Sequence, residues 1–450
     1  MDAGIRVRVQ SAPFEVFTDG PESEARQVAL RLQDMRRVLS VEWPEPPLPV
    51  RVLLISSTAD YEALRPAETA RAFFQSGPDR DYLVALSGQS DTLRAVSHEY
   101  VHVVLHHASV SLPLWVEEGL ADYFSTARLK RGVAELGAPV EGHVAVLRRA
   151  AWLDAQALAA VDRKSPEYNE RRGAGVFYAE SWALVHMLMT GPEGSGAMAG
   201  FLKRLARGDA PDSAFEASFQ RGWREAVGAL HGYVERRRFH RIEREAGGTA
   251  EEVPAAQNAE GPEGLLAPAE VAVLGGRPEV AERIYRQIAA DYAGSPAAAF
   301  GLAALAMQRR DYAAARTHLA EAIELGARDA STYFELAMLI RDTGGRRAEV
   351  AEYLRKAVEA NPCHPEAQFL LGRMAASEGR WEEAIGRYRK AAEVLPRQST
   401  FWHALAMAYV TAGKREEAKE AARMALESAV LPHEREMAEA ALQLAAEPPS

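Results

Sequence analysis

The amino-acid sequence predicts an α+β domain with a small sheet over residues 1–245, followed by an all-α repeat superhelix over residues 264–450. Two observations support this division. In the first half, short strand-like segments precede a long apolar helix. In the second half, a pattern of paired helices returns at a spacing of about 34 residues. Residues 246–263, rich in Gly, Ala, Glu and Pro, are predicted to form a linker.

Three segments of the first half have the pattern of strands. Residues 14–18 alternate between apolar and polar side chains, while residues 50–55 and 82–86 are short apolar runs. Between the first two, residues 22–39 predict an amphipathic helix. Its apolar residues at helical spacing are Val28, Leu32, Met35 and Leu39. A small sheet is therefore expected to precede the next helix.

That helix carries the segment His98-Glu99-Tyr100-Val101-His102, in an apolar stretch without glycine or proline. Residues four apart share one helix face, so both imidazoles can face a single ion. Glu99 lies about 100° further around the helix, close to such an ion without binding it. This spacing is the HExxH pattern of zinc sites. The alternative is a core helix that happens to contain two histidines.

A second helix is predicted over residues 112–124, entered through a turn at Pro113. A catalytic zinc ion needs three protein ligands and one open position. Glu118 is the candidate third ligand, and Glu117, one residue earlier, is the alternative. The pattern Trp-x-x-Glu-Gly-x-Ala, which begins at Trp115, favours Glu118.

Together these two helices resemble the gluzincin zinc metallopeptidases, in particular the bacterial peptidase-MA-like domains. The resemblance implies a zincin-like fold for residues 1–245, with Zn²⁺ held by His98, His102 and Glu118. It implies that Glu99 is the general base, so that peptide bonds are hydrolysed by Glu-assisted attack of a zinc-bound water.

Two other ligand arrangements are possible in principle. Metzincins need a glycine and then a third histidine soon after His102, and those positions are Leu105 and Ala108. That class is therefore excluded. His106 lies one turn after His102 and could compete as a ligand, but it is expected to pack or hydrogen-bond nearby.

The resemblance also suggests roles for residues around the ion. Asp122, one turn after Glu118, would accept the second N–H of a zinc-bound imidazole, as in thermolysin-like enzymes. The alternative is a solvated aspartate. Tyr178, in a Tyr-Ala-x-Ser-Trp pattern, is the candidate for stabilising the oxyanion. The alternative is that Tyr178 is a buried tyrosine whose hydroxyl already has a hydrogen-bond partner. The strand at 82–86 is the candidate edge strand for binding the substrate backbone, against a purely structural strand.

The second half resembles tetratricopeptide repeats. Small and large residues recur where such helices touch, most clearly over residues 365–398. The matching positions there are Leu371, Gly372, Gly379, Trp381, Ala384, Tyr388, Ala391 and Pro396. A weaker unit covers about 265–295, which gives four to five repeats and a capping helix near 433–446. Such arrays bind a peptide or protein partner on a concave face, whereas the alternative is a scaffold that only extends or dimerises the enzyme.

Composition limits the function classes. Acidic residues exceed basic ones by ten, which disfavours nucleic acid and anionic membranes as partners. A single cysteine, Cys363, excludes an internal disulfide framework. No apolar run has the length of a transmembrane segment, and the first residues lack the pattern of a signal peptide. The compartment stays open, since the resemblance suggests a bacterial protein exported with its signal removed.

The expected function is a zinc-dependent metallopeptidase with a repeat domain for protein or peptide binding; no cofactor besides Zn²⁺ is expected. One alternative is a non-catalytic repeat scaffold with a zinc-stabilised peptidase-like module. Another is hydrolysis of a non-peptide amide, which the same chemistry would allow.

Overall fold

The computed structural model describes residues 4–66, 70–108, 112–169, 171–192, 194–247, 255–259 and 261–446. The chain divides into two compact units, Met1–Ile284 and Tyr285–Ser450. The first unit combines sheets with helices, and the second is built from helices.

The strands all lie in the first unit, as far as the described residues show. They are β1 (Val7–Ser11), β2 (Phe14–Thr18), β3 (Val50–Ile55), β4 (Ala72–Ser76), β5 (Asp81–Leu86), β6 (Arg128–Lys130), β7 (Val133–Leu136), β8 (Ile242–Glu245) and β9 (Gln257–Asn258). The helices up to the division are α1 (Glu22–Leu39), α2 (Thr58–Leu64), α3 (Thr92–His107), α4 (Leu114–Ser125), α5 (Glu141–Leu147), α6 (Ala155–Ala160), α7 (Pro166–Asn169), α8 (Arg171–Thr190), α9 (Gly194–Ala206), α10 (Pro211–Phe219), α11 (Trp223–Glu235), α12 (Glu263–Leu274) and α13 (Pro278–Asp291), the last of which crosses it.

The main sheet has the order β4-β5-β3-β2-β1-β9. Strands β2, β3 and β5 are parallel, while β1, β4 and β9 run antiparallel to their neighbours. The helix α1 connects the parallel pair β2 and β3, as a crossover connection requires. The predicted sheet therefore exists, with strands that the apolar pattern did not reveal.

The expectation that residues 82–86 form an edge strand is wrong. Strand β5 is paired on both sides, with β3 and with β4, and the edge strands of this sheet among the described residues are β4 and β9. Strand β4 was not predicted from the sequence because it is a short segment with only three apolar residues, Ala72, Phe73 and Phe74. Which strand ends up at an edge is decided by pairing between segments and not by the local pattern.

The first compact unit extends beyond the predicted boundary at residue 245. Strand β9, inside the predicted linker at 246–263, pairs with β1. Helix α12 supplies Glu270, which accepts a 2.6 Å hydrogen bond from the Tyr82 hydroxyl. Of the predicted linker, residues 248–254 and 260 lie outside the described residues.

The core of the first unit places α3 and α4 side by side. Helices α1 and α3 pack against the sheet, and α4 packs closely along α8. Behind α3, the guanidinium of Arg31 donates hydrogen bonds to the Ser97 hydroxyl at 2.7 Å and to the carbonyl oxygens of Ser125 and Ala127 at 2.8 and 2.5 Å. One partly buried side chain therefore ties α3 to the carboxyl end of α4.

The second unit is all-helical, and its consecutive helices pack in pairs, as expected for the predicted repeat superhelix. Beyond the division at Tyr285 its helices are α14 (Pro296–Gln308), α15 (Tyr312–Glu324), α16 (Ala330–Asp342), α17 (Arg347–Ala360), α18 (Pro365–Ser377), α19 (Trp381–Val394), α20 (Ser399–Thr411), α21 (Arg415–Ser428) and α22 (Pro432–Ala446). Small residues lie where paired helices meet: a Cβ at Gly372 would come within 2.7 Å of the Tyr388 ring. Helix α22 follows the last pair, at the position predicted for the capping helix. Within the described residues, no helix is both long and apolar enough to span a membrane.

Candidate metal centre

The residues of the HExxH pattern lie on α3, and α4 brings Glu118 towards them. Helix α3 is buried because most of its apolar side chains face the core. On α4 the side chains of the two neighbouring glutamates have different partners. Glu118 is buried and faces His98 and His102, whereas Glu117 accepts a hydrogen bond from Arg163 at 2.5 Å. The packing thus selects Glu118 over Glu117 as the residue beside the histidines.

Three side-chain atoms converge at one point. His98 Nε2 lies 3.1 Å from His102 Nε2, and Glu118 Oε2 lies 3.2 and 3.4 Å from these two nitrogens. Ligands at 2.0–2.1 Å from a tetrahedral zinc ion are about 3.3 Å apart. Glu118 Oε2 is buried and has no hydrogen-bond partner among the described residues. The donor set and its spacing therefore fit a zinc ion.

Charges within this cluster stabilise one another. Burial alone would raise the pKa of Glu118, but the imidazoles of His102 and His98 outweigh burial and hold it far below its usual range. Burial alone would lower the pKa of His98, but the carboxylate of Asp122, and then that of Glu118, raise it well above its ordinary value. Glu118 is therefore an ionised carboxylate throughout the physiological range.

Glu99 lies beside the cluster without belonging to it. Burial raises the pKa of the Glu99 carboxyl, while His98 and His102 oppose that rise. A hydrogen bond from the backbone of Phe74, on the edge strand β4, also lowers the pKa of Glu99. The carboxyl group therefore faces both the histidines and the edge of the sheet.

Asp122 is buried and lies behind His98. Its Oδ1 is 3.1 Å from His98 Nδ1 and 3.0 Å from a guanidinium nitrogen of Arg94, and its Oδ2 is 2.6 Å from His143 Nε2. Because an ionised carboxylate only accepts hydrogen bonds, Nδ1 of His98 is the donor to Asp122, and Nε2 is the nitrogen that would bind a metal. Sequence reasoning missed Arg94 and His143, since neither belongs to a recognisable motif.

Tyr178 lines the same cleft, and Tyr168 links it to the cluster. Its hydroxyl hydrogen-bonds with that of Tyr168, and the Tyr168 hydroxyl donates to Glu118 Oε1 at 3.1 Å. Burial, followed by the nearby Glu118, raises the pKa of both tyrosines, so both hydroxyls stay protonated. Sequence reasoning missed Tyr168 because it follows a polar stretch whose spacing carries no signal.

The cluster lies in a cleft of about 1230 Å³. The edge strand β4 contributes Ala72, Phe73 and Phe74 to its lining, and α5 contributes His143. His106 also lines the cleft, but its ring packs against Phe74 with centroids 5.5 Å apart. Among the described residues, His98, His102 and Glu118 are the group whose atoms could hold a metal ion.

Comparison with known proteins separates the two halves of the chain. Residues 342–399 and 399–429 match family models of tetratricopeptide repeats, so this part of the chain is a tetratricopeptide-repeat array. Residues 92–208, which contain the metal-binding candidates, match the family described as "Protein of unknown function (DUF1570)". A search of curated proteins found no significant match.

Several solved repeat proteins are similar to part of the chain. YrrB, described as a TPR protein with an unusual peptide-binding site, is 20% identical, with 40% of this chain and 91% of YrrB covered and a TM-score of 0.32. MamA from Desulfovibrio magneticus RS-1 is 18% identical, with 37% and 94% covered and a TM-score of 0.31. PilF from Pseudomonas aeruginosa is 15% identical, with 41% and 90% covered and a TM-score of 0.34.

Proposed function

We propose that the first unit is a zinc-dependent metallopeptidase of the gluzincin type, with a zincin-like fold. The observation that supports this function best is the convergence of His98, His102 and Glu118 at the spacing of zinc ligands, beside the separate carboxyl group of Glu99. When bound there, Zn²⁺ supplies a Lewis acid and lowers the pKa of water towards about 7.

In this proposal Glu99 is the general base. Its carboxyl group is next to the ligand His98 and outside the ligand cluster, where it can take a proton from the attacking water. Burial raises its pKa towards the operating pH, which suits a group that must later return the proton to the leaving amine.

The tyrosine pair is the proposed source of hydrogen bonds to the oxyanion. Tyr178 and Tyr168 are neutral O–H donors on the Glu118 side of the cleft. Donors aimed at developing negative charge lower the barrier of acyl-transfer reactions. In the resting arrangement Tyr178 is hydrogen-bonded to Tyr168, so Tyr178 would exchange that partner for the substrate.

The proposed substrate is a peptide in extended form, bound along β4. An edge strand offers unpaired backbone groups to an added strand. Strand β4 lines the cleft, and its Phe74 backbone reaches Glu99, so a peptide on this edge would pass the general base. The repeats suggest a protein-binding scaffold, and we propose that they bind a partner or substrate protein.

The experiment that tests this function is a measurement of zinc content and of general peptidase activity in the whole chain. We expect about one zinc ion per chain in the wild type and in Glu99→Gln, with hydrolysis in the wild type alone. Glu118→Gln should lose zinc, while the matched variant Glu117→Gln should keep both zinc and activity.

Other outcomes would contradict the proposal in different ways. Zinc in the wild type and Glu99→Gln with no cleavage of any peptide mixture would favour the non-catalytic repeat scaffold with a zinc-stabilised module. No zinc in the wild type would mean that α3 is a core helix with two histidines. Activity retained by Glu99→Gln would remove Glu99 from the role of base.

A further inference from the structure

Two successive repeats of the second unit form a groove with an apolar floor and a basic rim. Its volume is about 310 Å³. Leu354 of α17 is buried at the floor, and the half-buried side chains of Met338, Leu370 and Met374 surround it. The arginines that line the groove are Arg341, Arg347 and Arg373.

On two helices of the groove, an apolar lining residue is followed three positions later by an arginine. Met338 and Arg341 are three residues apart on α16, as are Leu370 and Arg373 on α18. Residues three apart lie on the same helix face. Each of these two helices therefore presents an apolar side chain next to a guanidinium.

Arg341 and Arg373 are the arginines available to an incoming carboxylate, because Arg347 already donates hydrogen bonds to the Met374 carbonyl and the Ser377 hydroxyl. No acidic residue lines the groove, and Arg373 has no ion pair among the contacts of the described residues. Arg341 pairs with the adjacent Asp342 at 2.8 Å, and Arg347 lies 3.6 Å from Glu378. All four of these side chains are about half exposed, and such surface pairs contribute little to stability, so a ligand can compete with them.

We infer that this groove binds an acidic peptide segment of a partner protein, in which carboxylate and large apolar side chains alternate. Guanidinium groups bind carboxylates with paired hydrogen bonds, while methionine side chains adapt to varied apolar ones. A nucleic-acid strand fits less well, because none of the described residues that line the groove is aromatic, so bases have nothing to stack on, and the chain carries a net charge of −10. The inference deepens the proposed protein-binding role of the repeats and does not depend on hydrolysis.

The test measures fluorescence anisotropy of a short labelled peptide of alternating glutamate and leucine. The full chain is used with Glu99→Gln in every sample, so that binding is separated from cleavage. We expect saturable binding that weakens with salt, and about a tenfold loss of affinity in the double variant Arg341→Gln with Arg373→Gln. Arg423→Gln on α21, also exposed and paired with a glutamate, is the control and should bind as before.

Two further probes make the outcomes decisive. The same peptide with glutamine in place of glutamate should bind at least tenfold more weakly. Equal binding of both peptides, or no effect of the double variant, would overturn the acidic-peptide groove, even if the repeats bind peptides elsewhere. Binding of a labelled single-stranded oligonucleotide that depends on Arg341 and Arg373 and exceeds that of the acidic peptide would replace the inferred ligand by nucleic acid. No binding of the acidic peptide would also overturn the inference, while zinc content and cleavage report separately on the first unit.

Discussion

The carboxylate of Asp122 accepts a hydrogen bond from Nδ1 of His98 at 3.1 Å. Its other oxygen accepts one from Nε2 of His143 at 2.6 Å. Asp122 is almost fully buried, and these histidines hold the pKa of its carboxyl far below the usual range even though burial opposes them. The orientation of His98 is therefore set by an ionised group that water does not screen.

We predict that Asp122→Asn weakens zinc binding about 10- to 100-fold, because the partners that orient a metal-binding imidazole contribute that much. The uncharged amide can accept from one histidine but must turn its NH₂ group towards the other. Competition with a chelating dye measures the affinity. Asp209→Asn, at an exposed aspartate on the connection after α9, is the control. An affinity equal to wild type in Asp122→Asn would show that this hydrogen bond does not support metal binding.

We expect replacement of the two tyrosines to have different effects on zinc affinity, because Tyr168 contacts the cluster directly and Tyr178 does not. Tyr168→Phe removes the donor to Glu118 Oε1, and we expect a loss of about tenfold in zinc affinity. Tyr178→Phe leaves that bond in place, so zinc affinity should stay close to wild type while turnover falls about 10²-fold. Zinc titration and steady-state kinetics measured on both variants decide the point. Equal zinc affinities in the two variants would contradict this ordering.

Glu180 should make stability fall as the pH rises. Burial raises its pKa to about 7, and only the Leu153 N–H, donating at 2.7 Å, opposes that rise. Because the folded-state pKa lies above the unfolded-state value, the folded chain holds the proton more tightly. The stability that the Glu180 proton contributes to the folded state is therefore fully present below about pH 4.5, and it is lost as the pH rises through about 7.

We expect Glu180→Gln to reduce that pH dependence, since the amide resembles the neutral acid. We compare the free energy of unfolding of the variant with that of the wild type at each pH. This difference should favour the variant more at about pH 8 than at about pH 5, by up to about 3 kcal/mol. Urea unfolding at both pH values measures the difference. Glu216→Gln, on the exposed side of α10, is the control. A wild type and Glu180→Gln with parallel pH profiles would rule out a raised pKa at this site.

Gly119 should not tolerate a side chain. A Cβ at this position would collide with the carbonyl oxygen of Ser181 and with the side chain of Val185 on α8. Overpacking of this kind costs about 1–3 kcal/mol or more, so Gly119→Ala should lower Tm by several degrees. Since Gly119 follows Glu118, zinc content should fall as well.

The matched control for that variant is Gly142→Ala. Gly142 also lies in a helix, α5, but a Cβ there would meet no atom of the described residues within 4 Å. Replacing it should raise helix stability by up to about 1 kcal/mol. Thermal unfolding of the two variants gives the comparison, and equal Tm values would show that α4 and α8 can move apart at little cost.

Local patterns were enough to place several elements. Residues 22–39 form α1 with the predicted bounds, and the predicted strands at 14–18 and 50–55 are β2 and β3. Tetratricopeptide repeats were confirmed, because each helix pair repeats the same small and large contacts at nearly constant spacing. By contrast, residues 141–160 form two separate helices, α5 and α6, and Asp154 caps α6 by accepting from the N–H groups of Gln156 and Ala157 at 2.8 Å.

The sequence by itself determined that His98 and His102 share one helix face, because the period of an α-helix is fixed by backbone geometry. The motif favoured Glu118 over Glu117, but only the tertiary structure brought Glu118 to the histidines, made β4 an edge strand, and placed Tyr168 and His143 around the centre. The physical reason is that periodicity is a property of one segment. Which side chains meet across segments depends on how separate helices and strands pack, and that information is distributed over the whole core.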